Sequence, residues 1–166
     1  MKIAVVTDST AYLTKEELAE YGVYVLPMSV IFGQETYREE IDITAEEFYA
    51  KVKSSPVFPT STQPAVGETY ELFHELAKDY DAIIPITISS GISGTYQTCV
   101  AVAEDMKDEI AIYPIDSEIS CAPQARAVIL AAIMAKSGEY SPEEIVETVQ
   151  RLVDRTTAYF IVDDLS

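Results

Sequence analysis

An α/β fold, a mostly parallel sheet with helices on both faces, is what this sequence predicts, and three observations carry the prediction. Short β-branched runs alternate with segments of helical periodicity, the order of βαβ crossovers. The runs at 2–6 and 82–88 are nearly continuous in apolar residues, which suits strands covered on both faces. Hydroxyl and acidic residues gather where those runs stop. A length of 166 residues with 48% apolar content fits one domain, 1–166.

Strand one, 2–6, stops at Thr7-Asp-Ser-Thr10. Thr14 and Glu17 form a capping box for a short helix that Gly22 ends. Residues 23–32 are again strand-like, but Pro27 lacks a donor and marks an edge strand or a break. A second capping box, Thr44 and Glu47, opens a helix through Phe48, Tyr49 and Val52 to about Ser54. Residues 54–64 hold three prolines and five Ser or Thr in eleven positions, and are expected to be a loop with a binding role.

A helix is expected over 66–80, from the spacing of Tyr70, Phe73, Leu76 and Ala77, and then a strand over 82–88. The turn Ser89-Ser-Gly-Ile-Ser-Gly-Thr95 leads into a helix through Cys99, Val102 and Met106. The device repeats with a strand over 109–115, Asp116-Ser117, and a helix over 120–136 closed by Gly138. Ser141 as N-cap, Pro142 at N1 and Glu144 at N3 start a helix to about Val153, and a strand is expected over 158–162 before Asp163-Asp164.

Composition removes several functions. Eleven Lys and Arg against 28 Asp and Glu give a formal charge of −17, which a nucleic-acid backbone or an anionic membrane surface would repel. One His and two unpatterned cysteines, Cys99 and Cys121, cannot build a zinc cluster or a CxxC pair. No export signal or span of bilayer length is visible, so the expectation is a soluble protein of a reducing cytoplasm, without stable membrane insertion.

In an open parallel sheet, ligands bind outside the carboxyl ends of the strands. Here those ends carry Asp8, Ser9 and Thr10, then Thr87, Ser89, Ser90 and Ser93, then Asp116 and Ser117, then Asp163 and Asp164. Singly, such residues are turn formers and caps; their clustering carries the functional reading. Hydroxyl-rich turns at helix N-termini can hold an anionic head group without a cation, and Ser93-Gly94-Thr95 is the best such site. The alternative is a magnesium-dependent phosphotransferase or hydrolase using Asp8, Asp116 and Asp163. A serine hydrolase lacks both its elbow motif and its base, because His74 lies within a helix.

From Val6-Thr-Asp-Ser9 onward the chain carries a resemblance, which rests on three segments: the loop Thr60-Ser-Thr-Gln-Pro64, the block from Ile88 to Gln97, and the strand end Asp116-Ser117. The chain resembles the DegV family of bacterial fatty-acid-binding proteins, N-terminal lobe. The resemblance implies a non-catalytic subunit. It would enclose a long-chain fatty acid in an apolar tunnel, hold the carboxylate with hydroxyls, and present it to a separate fatty-acid kinase, with no other cofactor. It sets Ser93 at the family's carboxylate-contacting serine, Ser61 at its loop threonine and Thr62 at the following serine, with Gly94, Thr95, Asp8, Ser9, Asp116 and Ser117 completing the site.

Burying an acyl chain at about 0.8 kcal/mol per methylene yields on the order of 10 kcal/mol before association costs, so the tail supplies most of the affinity. Ile86, Ile88, Ile92, Met28, Val30 and Phe32 are the wall candidates. Two departures accompany the resemblance. Cys121-Ala-Pro-Gln124 replaces a Gly-rich helix start, and the chain stops at Ser166 where the family continues into a second lobe that supplies basic groups. An apolar wall left open in this way would be relieved by self-association through the Ser61 and Ser93 face, with weak lipid binding by the chain alone.

Overall fold

The computed structural model describes residues 1–159. Its main sheet is parallel throughout, in the order β2 (Val23–Leu26), β1 (Ile3–Asp8), β6 (Ala82–Thr87), with β7 (Ala111–Ile112) and β8 (Ile115–Asp116) both pairing with β6. All six residues of β1 and of β6 are buried, as runs without alternation require when both faces are covered. On one face, Ile84, Ile86 and Ala82 pack with α5 (Cys121–Ser137) and α6 (Pro142–Val153) through Val128, Ala131, Ile145 and Val149. On the other, Val6 and Ile83 meet Phe73 and Leu76 of α3 (Val66–Leu76) and Cys99, Val102 and Met106 of α4 (Thr95–Asp105). The α/β class with helices on both faces is thus the observed one.

The capping chemistry read from sequence is present atom by atom. Thr14 with Glu17 starts α1 (Lys15–Tyr21), Thr44 with Glu47 starts α2 (Ala45–Ser54), and Ser141 with Glu144 starts α6 behind Pro142; each pair exchanges both bonds. Gly22 and Gly138 end their helices at φ 69° and 70°.

The break expected at Pro27 is present, and four further segments differ from expectation. Residues 23–32 are two strands in two sheets: the chain leaves the main sheet at Pro27, and β3 (Ser29–Phe32) begins a second, antiparallel sheet of order β4-β3-β5. Its β4 (Glu35–Arg38) was not foreseen, and β5 (Thr60–Thr62) lies inside the expected loop 54–64, as an exposed edge strand that tolerates polar residues. The expected strand 109–115 is interrupted at Pro114, which has no N–H for the ladder, and resumes as β8. The helix expected over 66–80 ends at Leu76. The strand expected over 158–162 falls largely outside the described residues, as do Asp163 and Asp164.

The second sheet has its own small core, in which Val30, Phe32 and Ile43 pack with Tyr37, Phe48 and Val52 beneath α2. It is tied to the main sheet where Met28 N–H donates to Ser9 Oγ at 3.0 Å and Ser9 Oγ donates to Glu39 Oε2 at 2.6 Å.

Candidate functional site

Strands β1, β6 and β8 are parallel neighbours, so Asp8, Thr87 and Asp116 share the carboxyl edge of the sheet, and the Gly-rich turn runs from that edge into α4. At the turn, the Ser93 and Thr95 hydroxyls lie 2.9 Å apart, and Thr95 Oγ1 reaches Met28 Sδ at 3.7 Å. Gly94, the N-cap of α4, has no side chain to offer it. As in α3 and α5, the residue before the first turn gives its N–H groups no side-chain acceptor; among the described residues the Thr95 N–H alone in α4 reaches one, Ser93 Oγ at 3.4 Å, and the positive end of the helix dipole lies behind the half-buried Ser93.

The loop motif docks on this turn. Gln63 follows β5 directly, its Nε2 donates to Thr98 Oγ1 at 3.0 Å, and a Cβ on Gly94 would lie 2.2 Å from Gln63 Oε1. Ser61 and Thr62 are successive strand residues and so face opposite sides of the second sheet. Ser61 borders a groove of about 370 Å³ walled by Val30, Ile43, Phe48, Val52 and Phe58. Thr62 borders a polar recess with Ser29, Arg38 and Gln63. Of the two hydroxyls, Ser61 is the one beside apolar surface.

The remaining site residues support the edge from behind. Asp8 is fully buried: Oδ1 accepts from the Thr10 N–H at 3.0 Å, the Thr10 hydroxyl and Gln124 Nε2 at 3.3 Å, and Oδ2 accepts from the Ile88 N–H at 2.7 Å. A cation would have to displace those donors, so Asp8 is poorly suited to hold magnesium. Asp116 Oδ1 accepts from the N–H groups of Ser90 and Glu118 at 3.1 and 2.9 Å, fastening the start of the Gly-rich turn. Ser117 is buried and donates to the Ile119 carbonyl at 3.0 Å. Ser9 is bound to Met28 and Glu39 as described above. Asp8, Ser9, Asp116 and Ser117 thus bear on the site through the backbone they hold. Among the described residues no three metal-ligating side chains cluster.

Two features escaped sequence reasoning. Gln124 is fully buried, with Nε2 3.1 Å from Thr7 Oγ1, and joins α5 to the end of β1. It lies at i relative to Ala127, Val128 and Ala131, so helical spacing alone puts it on the buried stripe. Thr87 Oγ1, also fully buried, has no hydrogen-bond partner among the described residues, an uncommon state that marks this edge rather than the core beneath it.

Of the wall candidates, Ile86, Ile88, Met28, Val30 and Phe32 are buried, whereas Ile92 is exposed on the Gly-rich turn. Cys99 is a core residue whose thiol burial pushes up to about 12, with a smaller contribution from Asp8. His74 lies exposed on α3 and pairs with Glu109 at 2.9 Å. No helix among the described residues is long and apolar enough to cross a membrane.

Comparison with known proteins agrees with this architecture. The sequence matches the pattern of the DegV family, described as uncharacterised, over residues 2–166. It is 47% identical over 166 residues to protein DegV of Bacillus subtilis, covering all of this chain and 59% of that protein. It is 46% identical to a DegV domain-containing protein of Halalkalibacterium halodurans, covering 99% of this chain and 58% of that one. The crystal structure of Bacillus subtilis DegV, described as a fatty acid binding protein, superposes with a TM-score of 0.89 at 45% identity, over 93% of this chain and 54% of that chain. A Thermus thermophilus DegV family protein, described by its fatty acid binding, gives 0.84 at 27% identity over 93% and 54%. The chain thus spans under three-fifths of the length of these relatives. Matched along almost its whole length, the chain belongs to the DegV family.

Proposed function

We propose that this chain takes part in binding a long-chain fatty acid, whose carboxylate sits at the start of α4. The Ser93 and Thr95 hydroxyls and the Ser61 hydroxyl contact it, with Thr62 the alternative on the loop, and Gly94 leaves room for the loop to approach. Asp8, Ser9, Asp116 and Ser117 hold the backbone around it. The protein supplies no chemistry of its own: it presents the head group to a separate fatty-acid kinase in the cytoplasm, and the acyl chain is its only small-molecule partner.

The observation that carries this reading is the hydroxyl pair Ser93 and Thr95, 2.9 Å apart at the start of α4, where Gly94 adds no side chain and the Ser61 strand approaches through Gln63. Such an arrangement donates hydrogen bonds and needs no cation. The description of structurally similar family members as fatty acid binding proteins supports the same ligand class. The test is solvent extraction of protein purified from bacteria, followed by mass spectrometry. Co-purified fatty acids of long chain length are expected; their absence from repeated preparations, together with no uptake of added palmitate, would overturn the reading.

A further inference from the structure

We propose that Gln63 is a positioning residue for the anion site: its amide, seated on Gly94, sets the loop hydroxyls against the Ser93–Thr95 turn. The proposal rests on the carboxylate reading of that site and adds to it the part that fixes its geometry.

Gly94 has φ −77° and ψ 5°, a conformation open to any residue, so backbone freedom does not explain a glycine there. Space does. A Cβ at this position would meet Gln63 Oε1 at 2.2 Å, closer than such atoms approach, and Cδ at a tight 3.2 Å, so the amide occupies the place a side chain would take. From there Nε2 reaches Thr98 Oγ1 at 3.0 Å, one turn into α4. Among the described residues this is the one side-chain hydrogen bond from residues 60–63 to α4. At its other end the segment is fixed by the pairing of β5 with β3, and the buried Pro64 follows. Gln63 therefore joins the second sheet to the helix whose N-terminus faces the ligand.

The chemistry of the amide matters as well as its shape. A neutral amide beside a helix start leaves the positive end of the dipole available to an anion. A carboxylate in the same place could still accept from the Thr98 hydroxyl, keeping the contact, but would bring a negative charge to the anion's side.

Three variants separate positioning from packing, with palmitate and the neutral hexadecanol as probes. Gln63→Glu is expected to weaken palmitate by about tenfold or more and to leave hexadecanol unchanged; equal losses for both probes would overturn the proposal. Gly94→Ala displaces only the flexible end of Gln63, so the thermal midpoint should hold while palmitate weakens. Gln63→Ala should do the same, and combining the two should add nothing further, because both break one contact. Unchanged palmitate affinity in Gly94→Ala, or fully additive losses in the double variant, would overturn it.

If the wild-type protein takes up hexadecanol but not palmitate, the carboxylate reading fails. Amide exchange in the ligand-free protein then decides the positioning role alone. Faster exchange of the first turn of α4 in Gln63→Ala upholds it, and unchanged exchange removes it.

Discussion

Asp8 shows how a residue can be legible in kind and not in role. Its position at a strand end was evident, yet its carboxylate is spent on Thr10, Gln124 and Ile88, and only three-dimensional packing brings Gln124 to it across 116 positions of sequence. Ser93 and Thr95 were readable because a hydroxyl turn before a helix has a local signature. Gln63 lay inside a recognised motif, but its use depends on contact with Gly94, which spacing does not encode. Cys121 opens the segment that stands in place of a Gly-rich helix start, and its φ is 61°, in the left-handed region that favours glycine. Cys121→Gly should relieve about 1 kcal/mol of that strain, seen as a higher urea midpoint with an unchanged slope; a lower midpoint would show that the side chain contributes more than its backbone costs.

At the scale of elements, the helices were read well because their caps are local, two side chains three residues apart. The second sheet was not. Its β4 has only four residues, three of them exposed, and follows β3 through the two-residue turn Gly33-Gln34, with Gly33 at φ 64°. A glycine turn between Phe32 and Tyr37 was the available signal, but strands of that length and polarity scarcely differ from loop in pattern.

The end of β4 carries a pH-sensitive tie. Arg38 donates to both Asp42 oxygens at 2.8 and 3.1 Å, and these hydrogen bonds hold the Asp42 carboxyl at about 2, below the ordinary 3.8. A carboxyl lowered by folding contributes stability above its unfolded value, and loses it as pH falls through its folded one. Carbon-13 titration of Asp42 should therefore show a midpoint near 2, rising toward 3.8 in Arg38→Gln, which keeps only the backbone N–H bond to Asp42; a wild-type midpoint near 3.8 would dissolve the tie.

For the whole molecule, two surface properties oppose each other. Tyr12, Tyr49 and Phe58 line the groove beside Ser61 and are exposed, Phe58 by 85%, which favours self-association through that face. A net charge of −17 resists it, and salt screens the resistance. Sedimentation should thus detect dimer whose share grows with ionic strength and is lost in Phe58→Ser. A monomer at every salt concentration would mean that the apolar rim is too small or too divided to pair.

The central claim is that an anionic head group is held at the start of α4, and amide resonances report it directly. Titrating the protein with palmitate and following the N–H signals of Thr95, Tyr96 and Gln97 should give saturable downfield shifts, as those groups gain a charged acceptor. In Ser93→Ala the same shifts should require about tenfold more palmitate. Saturable shifts elsewhere, with Thr95 to Gln97 unmoved, would contradict the account.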